Sequence, residues 1–150
     1  MFFGAEAVAF DAKKTRLSVP SSFRAVLAQS GDQDVVLRPS SHSPCIDVWP
    51  KNTFQAEVER RTRDIDPFSE EFDSVTDDLT VRAYDTRVDA DGRVVLPKTL
   101  LAEVPLDANA LIVGRRSFFQ IWSAPVWAER QAAAAAAKKA ARASGEGGAA

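Results

Sequence analysis

The sequence contains little cysteine and little histidine, and this scarcity excludes several classes of protein. Its 150 residues include one cysteine, Cys45, and one histidine, His42. A single cysteine allows no internal disulfide and no metal site built on paired cysteines. No apolar run reaches the roughly 18 residues that a membrane span needs, and the opening stretch carries Glu6 but no positively charged region typical of a secretory signal. We expect a cytoplasmic protein in a reducing compartment, without a membrane partner.

Residues suited to catalysis or metal binding are also scarce. A Ser-His-Asp arrangement would have to combine His42 with Ser41 and Asp47, which lack the strand-turn-helix context of a nucleophile. Carboxylates are frequent between residues 57 and 78, but their spacing is not that of a calcium-binding loop. We therefore expect no enzyme, no metal site, no cofactor and no small-molecule substrate.

What the sequence does have is the composition of a folded domain with unevenly distributed charge. Hydrophobic residues make up 45% and charged residues 27%, which is typical of a soluble globular protein. The net charge of -2 is an average, because residues 11–24 carry four cations and one acid while residues 57–78 carry nine acids and three arginines. A charged ligand responds to the local field, so the acidic total does not exclude a polyanionic partner.

The strongest pattern is an internal repeat. Residues 11–20 contain an aspartate, a basic turn, an arginine and a short apolar strand that ends in proline, and residues 89–97 repeat this order. Each copy continues with a short helical pattern, two apolar runs and a tryptophan. Such a repeat predicts two copies of one structural unit. Because halves of about 50 residues would have marginal cores, we expect the copies to share one core.

Each copy is predicted to have the element order strand, strand, helix, strand, strand. We expect serine capping at Pro20-Ser21-Ser22, where the first of these helices begins, and a helix end near Gly31. The predicted strands are 2–10, 17–19, 35–38, 45–49, 79–88, 93–96, 110–113 and 118–122, and the predicted helices are 20–31, 50–63, 68–78, 98–103 and 126–142, with flexible chain after Ser144. The corresponding domains are a first repeat (1–54), an acidic helical connector (55–78), a second repeat (79–127) and an Ala-rich tail (128–150).

The two Asp-turn-Arg segments are the candidate functional residues. A tight turn between antiparallel strands exposes its side chains, and Gly92 supplies the positive φ that such a turn often needs. Asp89 can accept N–H groups of the turn or orient the arginine, and a fixed guanidinium suits phosphate oxygens or the edge of guanine. A hairpin tip needs no cation, so an arginine in both copies, Arg16 and Arg93, favours nucleic acid as the partner. A purely structural Asp-Arg pair is the alternative.

These motifs resemble those of one protein family. The start Met1-Phe2-Phe3-Gly4, both Asp-turn-Arg segments, Leu17-Ser18-Val19-Pro20 with Phe23-Arg24, and Phe119-Gln120-Ile121-Trp122 are similar to MraZ proteins over residues 1 to about 127. The resemblance implies two tandem SpoVT-AbrB-type domains in a β-dominated mixed β/α fold. That fold is a double-split, swapped-hairpin β-barrel formed by two repeats, with short helices and a C-terminal helix.

The resemblance also implies a function and a set of site residues. It implies a ring-shaped homo-oligomer, associated with the nucleoid, that binds tandem promoter repeats in double-stranded DNA and represses a division and cell-wall gene cluster. DNA contacts fall on Lys13, Lys14, Arg16 and Arg93, and the turn-organising residues are Asp11, Asp89 and Gly92. The first turn is one residue longer, has Thr15 where the second has glycine, and lacks an equivalent of Asp91, so we expect it to bind phosphate more strongly. An AbrB-type antitoxin or a protein-binding scaffold is the alternative function.

Overall fold

Eight strands form one antiparallel sheet in the computed structural model, which describes residues 1–31 and 33–148. The strands are β1 (Ala5–Asp11), β2 (Arg16–Ser18), β3 (Asp34–Pro39), β4 (Ile46–Pro50), β5 (Tyr84–Arg87), β6 (Arg93–Val95), β7 (Asn109–Gly114) and β8 (Phe119–Ser123). The helices are α1 (Ser21–Gln29), α2 (Lys51–Thr62), α3 (Glu70–Thr76), α4 (Lys98–Glu103) and α5 (Ala124–Gly148). The strand order in the sheet is β5-β3-β4-β8-β7-β1-β2-β6.

The two repeats exchange strands within this sheet. Strand β1 of the first repeat pairs with β7 of the second, and β5 of the second repeat pairs with β3 of the first. The pairs β2–β6 and β4–β8 also join the repeats. The turn at residues 88–92 links β5 to β6, the strands at the two ends of the sheet order, so the sheet nearly closes on itself. The predicted β-dominated, swapped-hairpin fold is confirmed.

Two cross-strand pairs show that the repeats are related by a pseudo-twofold axis. Leu17 pairs with Val94 at the centre of the β2–β6 ladder, and Asp47 pairs with Gln120 at the centre of the β4–β8 ladder. In each pair the partners occupy the same position of their respective repeats. The axis therefore passes through an apolar pair at one ladder and a polar pair at the other.

One hydrophobic core contains side chains of both repeats. Its fully buried members include Leu27, Leu37 and Ile46 of the first repeat and Leu96, Leu100, Ile112 and Ile121 of the second. The rings of Phe2, Phe23 and Phe119 pack against one another with centroid separations between 5.2 and 5.8 Å. Burial of this apolar surface, shared between the copies, is the main term that stabilises the barrel.

The predicted strand 79–88 is wrong in its first half. Residues Asp77–Val81 form a π-helical turn that continues α3, and β5 begins only at Tyr84. The buried guanidinium of Arg38 donates hydrogen bonds to the carbonyl oxygens of Asp78 and Leu79, at 2.7 and 3.3 Å. These carbonyl groups are therefore satisfied by a side chain rather than by a neighbouring strand.

Three smaller expectations also differ from the structure. Serine does not cap α1, because Pro20 holds the cap position without a side-chain hydrogen bond and the Ser22 hydroxyl donates to Glu6 instead. The first strand begins at Ala5, while Phe2 forms an isolated bridge with Arg116. Helix α5 runs to Gly148, so the segment 144–148 is helical rather than irregular, and the last two residues of the predicted tail lie outside the described residues.

Candidate nucleic-acid interface

Strands β2 and β6 pair as an antiparallel ribbon, flanked by the end of β1, and the outer face of this ribbon carries both predicted arginines. Leu17 and Val94 lie on the inner face and are 2% and 1% exposed. Arg16 lies opposite Val95, and Arg93 lies opposite Ser18. Because side chains alternate along a strand, Arg16 and Arg93 share the outer face. They are diagonal neighbours, a relation that typically separates residues by roughly 7–8 Å.

The two turns lie at opposite ends of this ribbon. The Leu96 N–H donates to the Thr15 carbonyl oxygen at 2.7 Å, and the Val19 N–H donates to the Gly92 carbonyl oxygen at 2.8 Å. Each turn is thus attached to a strand of the other repeat. From Thr15 to Val19 the ribbon extends about 13 Å, at about 3.3 Å per residue. The predicted pair of separate tips is therefore one continuous surface, with the arginines between the turns.

The aspartates bind the backbone of their own turns. The Asp11 carboxylate accepts the N–H groups of Lys13 and Lys14 at 3.0 and 3.1 Å. The Asp89 carboxylate accepts the N–H groups of Asp91 and Arg93, both at 2.9 Å. Within the described residues, neither carboxylate is hydrogen-bonded to a guanidinium of Arg16 or Arg93. The aspartates therefore fix turn geometry and leave the arginine side chains available.

Equivalent positions of the two turns adopt the left-handed conformation. Gly92 has φ of +79° and Thr15 has φ of +49°. Glycine adopts this region readily, whereas a β-branched residue rarely does. The extra residue of the first turn is accommodated before Thr15, so the two arginines occupy equivalent positions at opposite ends of the ribbon.

Arg24 is a cation near the second turn that the sequence did not assign to the site. A Cβ atom at position 92 would lie 2.6 Å from the Cδ atom of Arg24, so the arginine crosses the space that Gly92 leaves open. The Arg24 Nε atom is buried and has no hydrogen-bond partner. No sequence pattern places Arg24 beside this turn, because the exchange of strands between the repeats, and not the spacing along the chain, brings α1 to it. Leu101 holds the same position in the second repeat, so only the second turn gains a cation this way.

The site has a local excess of free positive charge. In the part of the chain that the structure describes, none of its cations forms an ion pair; they are Lys13, Lys14, Arg16, Arg24 and Arg93. Lys13 and Lys14 are exposed, and Arg16 and Arg93 are half-buried. Unpaired guanidinium and ammonium groups on an exposed ribbon are suited to bind phosphate oxygens.

Ser41, His42 and Asp47 do not form a hydrogen-bonded Ser-His-Asp arrangement among the described residues. The Ser41 hydroxyl donates to Asp78 at 2.7 Å, and Asp47 is bonded to Arg38 and Gln120. His42 lies in a loop, where its Nδ1 atom is 3.1 Å from the Ser40 hydroxyl. Across the described residues, no three His, Cys, Asp or Glu side chains are grouped as metal ligands, and no helix is both long and apolar enough to cross a membrane.

Comparison with known proteins gives a consistent result along the chain. Residues 1–75 and 79–146 match the sequence profile of a family described as "MraZ protein, putative antitoxin-like". A protein of Gluconobacter oxydans (strain 621H), named Transcriptional regulator MraZ, is 40% identical over 137 residues, which is 89% of this chain and 82% of that protein. Proteins of the same name from Gluconacetobacter diazotrophicus and Rickettsia peacockii (strain Rustic) are 38% and 34% identical, over 90% and 73% of this chain and 85% and 73% of theirs.

Proposed function

Because this chain belongs to the MraZ family, we propose that it is a transcriptional regulator that binds double-stranded DNA through the β2–β6 ribbon. Its relatives are named as transcriptional regulators. The observation that carries the proposal is the placement of Arg16 and Arg93, which are distant in sequence, side by side on one exposed face. A purely structural Asp-Arg pair does not account for this placement, since the aspartates bind turn backbone instead.

We propose that the β2–β6 ribbon enters the major groove of the DNA. That groove is about 12 Å wide and admits a two-stranded β-ribbon. We assign Arg16 and Arg93 to the groove, where a guanidinium can contact guanine or the flanking phosphates. Phosphates are then contacted at one end of the ribbon by Lys13 and Lys14, and at the other end by Arg24. Asp11 and Asp89 hold the two turns in place, and Gly92 shapes the second turn. The Val95 side chain, which is 53% exposed, lies on the same face opposite Arg16 and can contact a thymine methyl group.

We further propose that the protein acts as a ring-shaped homo-oligomer on tandem promoter repeats, as a repressor of a division and cell-wall gene cluster, in the cytoplasm and on the nucleoid. One site with five cations, on the ribbon, the first turn and α1, binds weakly at physiological salt, because each phosphate contact competes with counterions. Several ribbons on one ring that match tandem sites raise the overall affinity by about 10²–10⁴ without a new contact. This effect reconciles DNA binding with a net charge of -2.

The proposal is tested by gel-shift titration of the DNA upstream of the protein's own gene. We expect wild-type binding to weaken steeply with salt, and the double variant Arg16→Ala/Arg93→Ala to lose the shift while its circular dichroism spectrum stays unchanged. For Lys13→Ala/Lys14→Ala, the slope of log affinity against log salt concentration should correspond to about two fewer phosphate contacts. The matched control is Arg60→Ala, because Arg60 is an exposed arginine of α2 that pairs with Glu57.

Unchanged affinity in the double arginine variant would contradict the ribbon assignment. Absence of any salt-sensitive shift, together with co-purification of a stoichiometric protein partner, would favour the antitoxin or scaffold function instead. Native mass spectrometry of the full chain then reads out the ring independently of DNA, and a monomer at micromolar concentration would contradict the oligomer.

A further inference from the structure

A cavity of about 460 Å³ lies where the long loop of the first repeat, α2 and the β7–β8 turn meet. None of its lining residues belongs to β2, β6 or their turns, so it is separate from the proposed DNA-binding ribbon. The lining side chains on which the argument rests are Arg38, Asp47, Trp49, Arg115, Arg116 and Gln120. The volume is within the range of small-molecule sites, which is about 300–1,000 Å³.

The floor of the cavity is a buried polar network. Arg38, Asp47 and Gln120 are 5%, 5% and 4% exposed. The Asp47 carboxylate accepts one hydrogen bond on each oxygen, from Arg38 at 3.0 Å and from Gln120 at 2.9 Å. Each oxygen retains a lone pair that can accept another bond. Burial raises the pKa of Asp47 although both partners oppose that rise, which indicates a carboxylate that a further donor would stabilise.

The rim of the cavity has two adjacent arginines. Arg115 and Arg116 are exposed, and neither forms an ion pair with a described residue. The Arg115 Nε atom donates to Gln120 at 2.9 Å, and the guanidinium carbon also lies 5.7 Å from the centroid of the Trp127 ring. Arg116 has φ of +72°, and its N–H and carbonyl groups are both bonded to Phe2. A left-handed residue is common in such short hairpin loops, and here it holds Arg116 in one place at the rim.

The wall of the cavity is formed by aromatic rings. Trp49 stacks on Phe118 with a centroid separation of 4.4 Å and contacts Phe54 at 5.9 Å. The Nε1–H group of Trp49 is buried and has no hydrogen-bond partner. These rings offer an apolar surface against which the organic part of a ligand can pack.

We propose that this cavity binds a small phosphate monoester whose phosphate lies at Arg115 and Arg116 and whose organic part contacts Trp49 and the floor. The two rim arginines balance the charge of a phosphate dianion, while the cations Arg38 and Arg61 are already paired with Asp47 and Glu57. A hydroxyl or amino group of the organic part donates to Asp47. The apolar remainder packs against the aromatic wall.

The proposal is tested by isothermal titration calorimetry of the DNA-free full chain with three probes: adenosine 5′-monophosphate, glucose 6-phosphate and phenyl phosphate. We expect saturable binding of at least one probe, and at least tenfold weaker binding of that probe by Arg116→Gln, since a charge-assisted contact is lost. Inorganic phosphate and the dephosphorylated probe should each bind more weakly than the monoester. Arg60→Gln, which alters an exposed arginine of α2 that does not line the cavity, is the matched control and should bind normally.

Two results would overturn the proposal. One is the absence of saturable binding for all three probes. The other is binding that survives Arg116→Gln but is lost in Arg16→Ala/Arg93→Ala, because the phosphate would then occupy the DNA-binding ribbon. Unchanged circular dichroism spectra exclude misfolding of the variants. Arg116→Gln should still shift DNA in a gel, because Arg116 lies outside the ribbon. A normal gel shift without binding of any probe would therefore contradict the cavity proposal and leave the proposed function intact.

Discussion

Single backbone conformations decide how the arginines of the ribbon are presented. Gly92 and Thr15 hold equivalent left-handed positions, and each immediately precedes the arginine of its turn. The side chain of Arg24 crosses the space that Gly92 leaves open. The sequence predicted the glycine from turn chemistry, but it contained no signal that Thr15 would adopt the same conformation.

We predict that Gly92→Ala lowers both stability and DNA affinity. The positive φ costs about 1–2 kcal/mol for a residue with a Cβ atom, and the new atom displaces Arg24. The matched control is Gly31→Ala, because Gly31 has φ of +76° but nothing within 4 Å of a Cβ atom. Urea unfolding should show a loss in both variants, larger for Gly92→Ala, whereas gel shift should show weaker binding only for Gly92→Ala. Equal DNA affinities of Gly92→Ala and Gly31→Ala would contradict a role for Arg24 in the interface.

We predict that the buried thiol of Cys45 makes the fold sensitive to alkaline pH. Burial, aided by the charge of Asp47, raises the pKa of Cys45 to about 12 from an ordinary value of 9.0. A group whose pKa is raised on folding contributes stability that is fully present below pH 9 and is lost as the pH rises towards 12. Between pH 8 and 10 the wild type should lose about 1 kcal/mol more than Cys45→Ala in urea unfolding. A parallel loss in both proteins would contradict this prediction.

At the scale of elements, the periodicity of the sequence predicted most strands and helices but not their partners. Strand β2 and strand β6 are three residues each, and isolated they would not be stable. Their alternation of inward and outward residues is visible in the sequence, whereas the register that aligns Arg16 with Val95 follows from packing of Leu17 against Val94. The π-helical turn at Asp77–Val81 was missed because a distant arginine, Arg38, binds its carbonyl groups.

We predict that most of helix α5 contributes nothing to stability. Its side chains from Ala128 to Gly145 are exposed, while Trp127 packs edge-on against the buried Trp122 and Arg130 lies over the same ring. A chain ending at Gln131 should unfold within about 0.5 kcal/mol of the full-length protein. Trp127→Ala, in contrast, removes a partly buried ring and should cost about 2 kcal/mol or more. A large loss on truncation would show that the exposed part of α5 packs against another subunit.

At the scale of the whole molecule, the polar pair on the pseudo-twofold axis makes the two repeats unequal. Asp47 faces Gln120, and the Gln120 side-chain amide donates to the carboxylate at 2.9 Å. Pairing of two first repeats would bring two Asp47 carboxylates together in a buried ladder. The Asp-Gln pair therefore favours association of the first repeat with the second.

We predict that Gln120→Asp strongly destabilises the protein at neutral pH. It places a second carboxylate beside the buried Asp47 and removes the amide donor, and an uncompensated buried charge costs about 3–5 kcal/mol. One carboxyl group of the pair then has a raised pKa in the folded state. The stability of the variant is therefore retained below about pH 4, near the pKa of that group in the unfolded chain, and is lost as the pH rises. Urea unfolding at pH 5 and 7 should show a smaller deficit at pH 5. Gln120→Asn, which keeps an amide, is the control and should show no such pH trend.

The sequence by itself determined that two related units form one β-rich domain, because turn chemistry, apolar alternation and the repeated Asp-turn-Arg segment are local signals. It also identified Arg16 and Arg93 as candidates. Only the tertiary structure decided that these arginines share one face, that Arg24 joins the second turn, and that Arg115 and Arg116 border a cavity. The reason is physical: the exchange of strands between repeats sets register through packing in a shared core, and contacts between distant segments leave no periodic mark in the chain.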